Sequence, residues 1–303
     1  MVDTSDEWIR QRTGILERHI AAAGETTSTL ALKAAQAALA VANFDPARLD
    51  LIIVATVTPD YAFPATACLL QDALGAPKAA AFDLSAGCSG FVYALSLAAN
   101  LLAAGTYQNA LVLGAETLSR IVDWTDRATC VLFGDGAGAV LLETRDAPGG
   151  VLSSVLGADG SGSDLLILPG GGSAHPSSVQ TVAEGLHHLR MQGQQVFRFA
   201  HQANDRILQA AAKGLGIPQE RMFSNLTRYG NTSAASIPIA LCEAIEQGLI
   251  ERDDLVVLVG FGAGLTWAAL VLRWSLPLPV PVPSRPMTAW RRLRYLWVRW
   301  RSH

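Results

Sequence analysis

The stretch Phe82-Asp83-Leu84-Ser85-Ala86-Gly87-Cys88-Ser89-Gly90-Phe91, running on into Val92-Tyr93-Ala94-Leu95-Ser96-Leu97-Ala98-Ala99-Asn100-Leu101-Leu102, decides how this chain is read. An apolar run ends in small residues and passes straight into a helical pattern. That order describes a buried strand, a sharp elbow carrying Cys88, and a helix starting beneath it. A helix N-terminus carries partial positive charge, so a thiol placed there is expected to favour its thiolate, the nucleophilic form. A free cysteine is equally at home as a small buried hydrophobe. Cys68, Cys130 and Cys242, each among apolar neighbours, are expected to be of that kind, while the elbow keeps both readings open for Cys88.

Outward from the elbow, short apolar runs alternate with Ala-rich helical stretches. Residues 51–56, 79–84, 110–114 and 256–260 read as buried strands, and 29–41 and 91–104 as helices. This is the α/β pattern, with helices on both faces of a sheet. A faint repeat relates 132–142 to 259–272, each read as strand, glycine turn and strand. Asp146-Ala147-Pro148-Gly149-Gly150 breaks the pattern between them, which divides the chain into 1–146, 147–274 and a tail, 275–303. Gly134 to Ala139 fits a loose dinucleotide fingerprint, but an apolar strand follows it where a helix is required. Gly170-Gly171-Gly172 lacks the Lys-Ser/Thr of a phosphate loop and reads as a flexible connection.

Composition narrows the field. Half of the 303 residues are hydrophobic and 16% charged, which suits strands covered on both faces, and a net charge of −3 gives no footprint for nucleic acid. Four cysteines without regular spacing define neither a disulfide framework nor a zinc site, and no metal or cofactor is expected. His187-His188 is expected to be solvated. The polar, acidic start is not a secretory signal and no uncharged run reaches membrane-span length, so the body of the protein is expected in the cytoplasm.

The second half offers partners for the thiol. His201-Gln202-Ala203-Asn204 and Gly230-Asn231-Thr232-Ser233-Ala234-Ala235-Ser236 each open a helical stretch. Alone, His201 or Asn231 reads as a helix cap or surface residue. With Cys88 and the turn at 260–264 they make a nucleophile, two donors and an oxyanion-binding backbone.

Seven segments, in order, resemble the β-ketoacyl-acyl-carrier-protein synthase III family of the thiolase-like superfamily. They are Asp3-Thr4-Ser5-Asp6-Glu7-Trp8-Ile9, Arg12-Thr13-Gly14-Ile15, the Cys88 elbow, Phe133-Gly134-Asp135-Gly136-Ala137-Gly138, His201 to Asn204, Arg228 to Ser236, and Gly260-Phe261-Gly262-Ala263-Gly264. The resemblance extends from the first residue to about Trp274. It implies a five-layer αβαβα fold built from two related halves. It also implies a decarboxylative condensation of a short acyl-CoA with malonyl-acyl carrier protein, giving a 3-oxoacyl-acyl carrier protein and initiating fatty acid synthesis. Cys88 would take the acyl group, with the backbone N–H groups of Cys88 and Ala263 as oxyanion hole; Ala263 stands where the family often has glycine. His201 and Asn231 would donate to the malonyl thioester carbonyl. Trp8, Arg12, Arg127 and Asn204 would serve coenzyme A, Phe63 the acyl pocket of a partner subunit in a homodimer, and Arg206 and Lys213 the acidic carrier protein.

Three departures from the family pattern qualify the expected activity. The chain starts at the Asp3 to Trp8 motif, where relatives carry a first strand ahead of it. Met191 to Ala200 runs straight into His201, where relatives place most of a helix and a buried strand; a parallel return needs a crossover of about a dozen residues. Beyond Trp274 come a proline-rich linker and the arginine and aromatic stretch Trp290 to Arg301, which as a helix would suit an anionic membrane surface and is otherwise an unstructured extension. A secondary-metabolite condensing enzyme, a simple acyltransferase and a catalytically silent shortened copy remain the alternatives.

Overall fold

The computed structural model describes residues 2–146, 148–192, 218 and 221–275. His201, Asn204, Arg206 and Lys213, the approach to His201 from 193, and the tail from 276 lie outside the described residues. Along the described chain run α1 (Asp6–Thr13), α2 (Thr27–Ala42), β1 (Leu51–Ala55), α3 (Thr66–Leu74), β2 (Ala80–Leu84), α4 (Gly90–Ala103), β3 (Asn109–Glu116), α5 (Arg127–Cys130) and β4 (Gly136–Glu143). These are followed by β5 (Gly150–Ala158), β6 (Leu166–Ile167), α6 (Val179–Ala183), β7 (Arg190–Met191), α7 (Leu226–Tyr229), α8 (Ser236–Glu246), β8 (Leu255–Gly262) and β9 (Thr266–Arg273).

Two main sheets result. One has the order β2-β1-β3-β4, with β2, β1 and β3 parallel and β4 antiparallel to β3. The other has the order β5-β9-β8, antiparallel throughout. β1 and β3 are buried along their whole length, as their apolar runs at 51–55 and 110–115 require of strands covered on both faces. On one face lie α2 and α3, through Ala31, Ala35 and Leu39 of α2 and Ala67 and Leu70 of α3. The four-residue spacing in α2 forms one helical stripe, and a capping box between Thr26 and Thr29 starts that helix.

On the other face α4 is apolar nearly all round, because both sheets pack on it. Phe91, Val92, Leu95 and Ala98 share one core with Leu51, Ile53 and Ala55 of β1 and with Ala268, Leu270 and Leu272 of β9. Burial of a side chain the size of Phe91 or Leu95 contributes about 1.5–3 kcal/mol. α8 joins this middle layer, its Leu241 and Ala244 packing with Val140 of β4 and Val256 of β8. Among the described residues the layers are therefore helix, sheet, helix, sheet, and the helix in the middle is the one that begins at the Cys88 elbow.

The four expected strands and two expected helices are all present, but only β1 and β3 are buried as expected: β2 is exposed to half-buried and β8 mixes exposed, half-buried and buried residues, because among the described residues each lies at the edge of its sheet. Several local readings are corrected. Leu132-Phe133 is no strand: Phe133 makes a single bridge to Asn231, so the internal echo holds for β4 and for the β8-β9 hairpin only. Cys68 is exposed, its Sγ 3.6 Å from the Ala81 carbonyl, because it sits on the outward side of α3; Cys130 is buried and Cys242 half-buried. His187 is half-buried, its Nε2 2.9 Å from Thr181 Oγ1, because the loop after α6 folds back on that helix. Gly170 and Gly171 are tied by hydrogen bonds from their N–H groups to the carbonyls of Leu186 and His175, at 2.7 and 2.9 Å.

Gly114 of β3 lies hard against the segment before α8, where an added methyl would fall 2.1 Å from the Ala234 carbonyl oxygen. Gly114→Ala must therefore displace the segment carrying Asn231 and Ser233. The expected loss is about 1–3 kcal/mol of stability, read as a lower midpoint of thermal unfolding by circular dichroism.

Candidate active site

The elbow is built by backbone. β2 ends at Leu84, Gly87 takes a left-handed φ of +55°, and the short turn Gly87–Ser89 leads into α4 at Gly90. Ser89 Oγ donates to the Ala86 carbonyl at 2.7 Å, and Thr266 Oγ1 from β9 donates to the same oxygen at 2.8 Å. Against the elbow lies the β8-β9 turn. A methyl on Gly87 would stand 2.7 Å from the Ala263 nitrogen, and one on Gly262 would stand 2.6 Å from the Cys88 nitrogen. Only bare glycines let these two peptides approach. The non-glycine residues with positive φ among those described are Asn43, Ser233 and Asp253, so Ala263 keeps an ordinary backbone and its N–H.

Asn231 arrives from the other half through its backbone: its N–H donates to the Leu132 carbonyl at 2.8 Å, and the Gly134 N–H donates to its own carbonyl at 3.0 Å. Its side-chain Oδ1 accepts from the Ser233 N–H at 2.8 Å. That orientation leaves Nδ2 free to donate elsewhere, and the next residue but one, Ser233, is buried and held at φ +51°.

The expectation of a ready-made thiolate is corrected. Cys88 retains some accessible surface, yet its sulfur is closely surrounded, and burial pushes the thiol above its ordinary value. Ser233, the local backbone and Asn231 oppose that shift, and the charge of Glu116 adds to it.

Glu116, at the end of β3, is fully buried. Its carboxylate accepts from Thr58 Oγ1 at 2.6 Å, the Val57 N–H at 3.1 Å and Thr56 Oγ1 at 3.2 Å. Burial raises this carboxyl from 4.5 to about 7 against the pull of Thr58, Val57, Ser233 and Thr56. Sequence reasoning assigned no role to Glu116 or Ser233. A signal was available for the first, since a charged residue closing an otherwise apolar strand needs a buried partner.

A second cluster forms where α1 meets α5. Half-buried Trp8 has the Arg127 guanidinium 4.6 Å and that of Arg12 5.5 Å from its ring centroid, and Arg127 Nη1 donates to the Asp3 carbonyl at 3.0 Å. Phe63 stands apart, 85% exposed in the loop before α3. No group of three or more His, Cys, Asp or Glu suited to a metal occurs among the described residues. No helix among them is long and apolar enough to cross a membrane.

Folding makes Glu116 hold its proton more tightly than the unfolded chain does. This contribution is complete below pH 4.5 and is lost as pH rises through about 7. The loss is on the order of 3 kcal/mol. Glu116→Gln is therefore expected to gain in stability relative to the parent chain between pH 5 and pH 8; a constant difference in urea unfolding across that range would refute the assignment.

Comparison with known proteins gives one answer over nearly the whole chain. The family model for 3-oxoacyl-[acyl-carrier-protein (ACP)] synthase III matches residues 82–160, and the model for its C-terminal part matches 186–274. The beta-ketoacyl-[acyl-carrier-protein] synthase III of Symbiobacterium thermophilum is 53% identical over 302 residues, covering 91% of this chain and 92% of the relative. The protein of the same name from Desulfitobacterium hafniense (strain DSM 10664 / DCB-2) is 51% identical, with 91% of each chain covered. The crystal structure of the synthase III from Thermus thermophilus superimposes with a TM-score of 0.80 at 46% identity, covering 91% of this chain and 92% of that one. Since 91% of 303 residues is about 276, against 302 aligned, about 26 positions of the Desulfitobacterium relative have no counterpart inside the aligned span. The chain belongs to the 3-oxoacyl-[acyl-carrier-protein] synthase III family, the thiolase-like condensing acyltransferases that initiate fatty acid synthesis.

Proposed function

We propose that Cys88 is the acyl-accepting nucleophile of this chain. Its thiolate attacks the carbonyl of a short acyl-CoA, and the N–H groups of Cys88 and Ala263 hold the tetrahedral oxyanion until coenzyme A leaves. Malonyl-acyl carrier protein then binds. His201 and Asn231 donate to its thioester carbonyl while CO₂ departs, and the resulting enolate carbon attacks the acyl-cysteine, releasing the Cys88 thiolate and a 3-oxoacyl-acyl carrier protein. The observation that carries this reading is the contact of the Cys88 elbow with the Ala263 turn.

The Trp8, Arg12 and Arg127 cluster supports a coenzyme A entrance: a flat indole with two guanidiniums suits an adenine ring and its phosphates. Asn204 orients the His201 imidazole or meets the pantetheine. Arg206 and Lys213, a seven-residue spacing apart, face the acidic carrier protein. Exposed Phe63 and the edge position of β2 fit a homodimer in which Phe63 reaches the partner's acyl pocket. The halves divide at 146/147, residues 275–303 form the tail, and the enzyme works in the cytoplasm.

The shortfall of about 26 residues favours a second reading, a copy that accepts an acyl group and no longer condenses it. A displacement of about 1 Å at a reacting group can cost about 100-fold. Both readings predict that acetyl-CoA leaves an acetyl adduct in the intact mass, absent in Cys88→Ala. On the first, malonyl-acyl carrier protein then discharges the adduct into product, and Asn231→Ala slows that step by about 100- to 1,000-fold; on the second, the adduct persists. Trp8→Ala should raise KM for acetyl-CoA while leaving kcat nearly unchanged. No adduct with any acyl-CoA defeats both.

A further inference from the structure

Thr266 opens β9 with a backbone fixed on both sides, opposite Gly262 of β8 and Ala158 of β5. Its side chain leaves the sheet in a set direction, and a β-branched residue is stiff at χ1. That direction is the Cys88 elbow. Thr266 Oγ1 lies 2.8 Å from the Ala86 carbonyl oxygen, 2.8 Å from Ser89 Oγ and 3.2 Å from the Ala263 carbonyl oxygen. A hydroxyl has one proton, and the Ala86 carbonyl, the nearer of the two, takes it. Glycines make the room: a methyl on Gly262 would stand 2.8 Å from Thr266 Oγ1, and one on Gly264 2.9 Å from the Thr266 methyl carbon.

The two hydroxyls on the Ala86 carbonyl differ in what they connect. Ser89 lies three residues along the same elbow, whereas Thr266 comes from 180 positions away. Only the second bond ties one half of the chain to the other. The peptides it holds together are those of the oxyanion site, because the Cys88 nitrogen faces Gly262 and the Ala263 nitrogen faces Gly87. Backbone contact stops these peptides from approaching further; a bond across the junction stops them from parting. We propose that the Thr266 hydroxyl is the positioning group of the oxyanion hole, setting the spacing of the Cys88 and Ala263 N–H groups by tying β9 to the Ala86 carbonyl. It acts on the reaction through those two peptides. A tetrahedral oxyanion needs its donors at about 2.7–3.1 Å, so a junction opened by about 1 Å loses one of them. The proposal rests on the reading of Cys88 as acyl acceptor with Ala263 as its oxyanion partner.

Two rates at Cys88, measured on the full chain, separate this role from a general loss of structure. Single-turnover acetyl transfer from acetyl-CoA, read by quenched intact mass, passes through the tetrahedral oxyanion. Alkylation by iodoacetamide, read at the Cys88 peptide, displaces iodide at a saturated carbon and forms no such oxyanion. In Thr266→Val, which keeps the shape and loses the hydroxyl, acetyl transfer should slow by about 100-fold while alkylation keeps the parent rate. Thr266→Ser, which restores the hydroxyl without the methyl, should recover most of the lost acetyl transfer. Should Thr266→Val not fold, Thr266→Ala set against Thr266→Ser makes the same comparison. Acetyl transfer at the parent rate in Thr266→Val, equal slowing of both reactions, or a Thr266→Ser chain as slow as Thr266→Val each overturns the proposal. A parent chain that takes no acetyl group overturns the acyl-acceptor reading, and the proposal with it.

Discussion

The contact between the Gly87-Cys88 elbow and the Gly262-Ala263 turn is the constraint on which the rest of the structure depends. Two peptide nitrogens from opposite halves of the chain come together only because neither Gly87 nor Gly262 carries a Cβ; a methyl on either would overlap the other's backbone by several tenths of an ångström. Thr266 and Ser89 lock the junction by sharing the Ala86 carbonyl. The hydrogen-bonding space at the sulfur is thus a property of two sheets meeting across α4.

The same geometry sets the electrostatics. Packing α4 between two sheets excludes water from its start, which raises the thiol of Cys88 and the carboxyl of Glu116 together. The loop that carries Asn231 and Ser233 continues into Ala234, which is pressed onto β3 at Gly114.

Much of this was legible along the chain. β1 and β3 announce themselves as short apolar runs, α2 and α4 as Ala-rich stretches with a cap or an elbow, and Cys88 by the small residues around it. Readings that failed share a cause. Cys68, His187 and Leu132-Phe133 were judged from immediate neighbours, whereas their surroundings are set by segments far away or folded back: the outward side of α3, the loop after α6, and Asn231, which claims Phe133 as a bridge. Glu116 and Ser233 were passed over for the same reason, since the segments packed against them lie far along the chain.

Local order is therefore what the amino-acid sequence determined unaided: strand, elbow, helix, glycine turn, and the family motifs in sequence. Those features depend on side-chain periodicity and backbone permissiveness, which act over a few residues. The tertiary structure alone decided the burial of Cys88 and of Glu116 and the meeting of Trp8 with two arginines. Each of these depends on desolvation and on distances between chain segments that only the packed layers bring together.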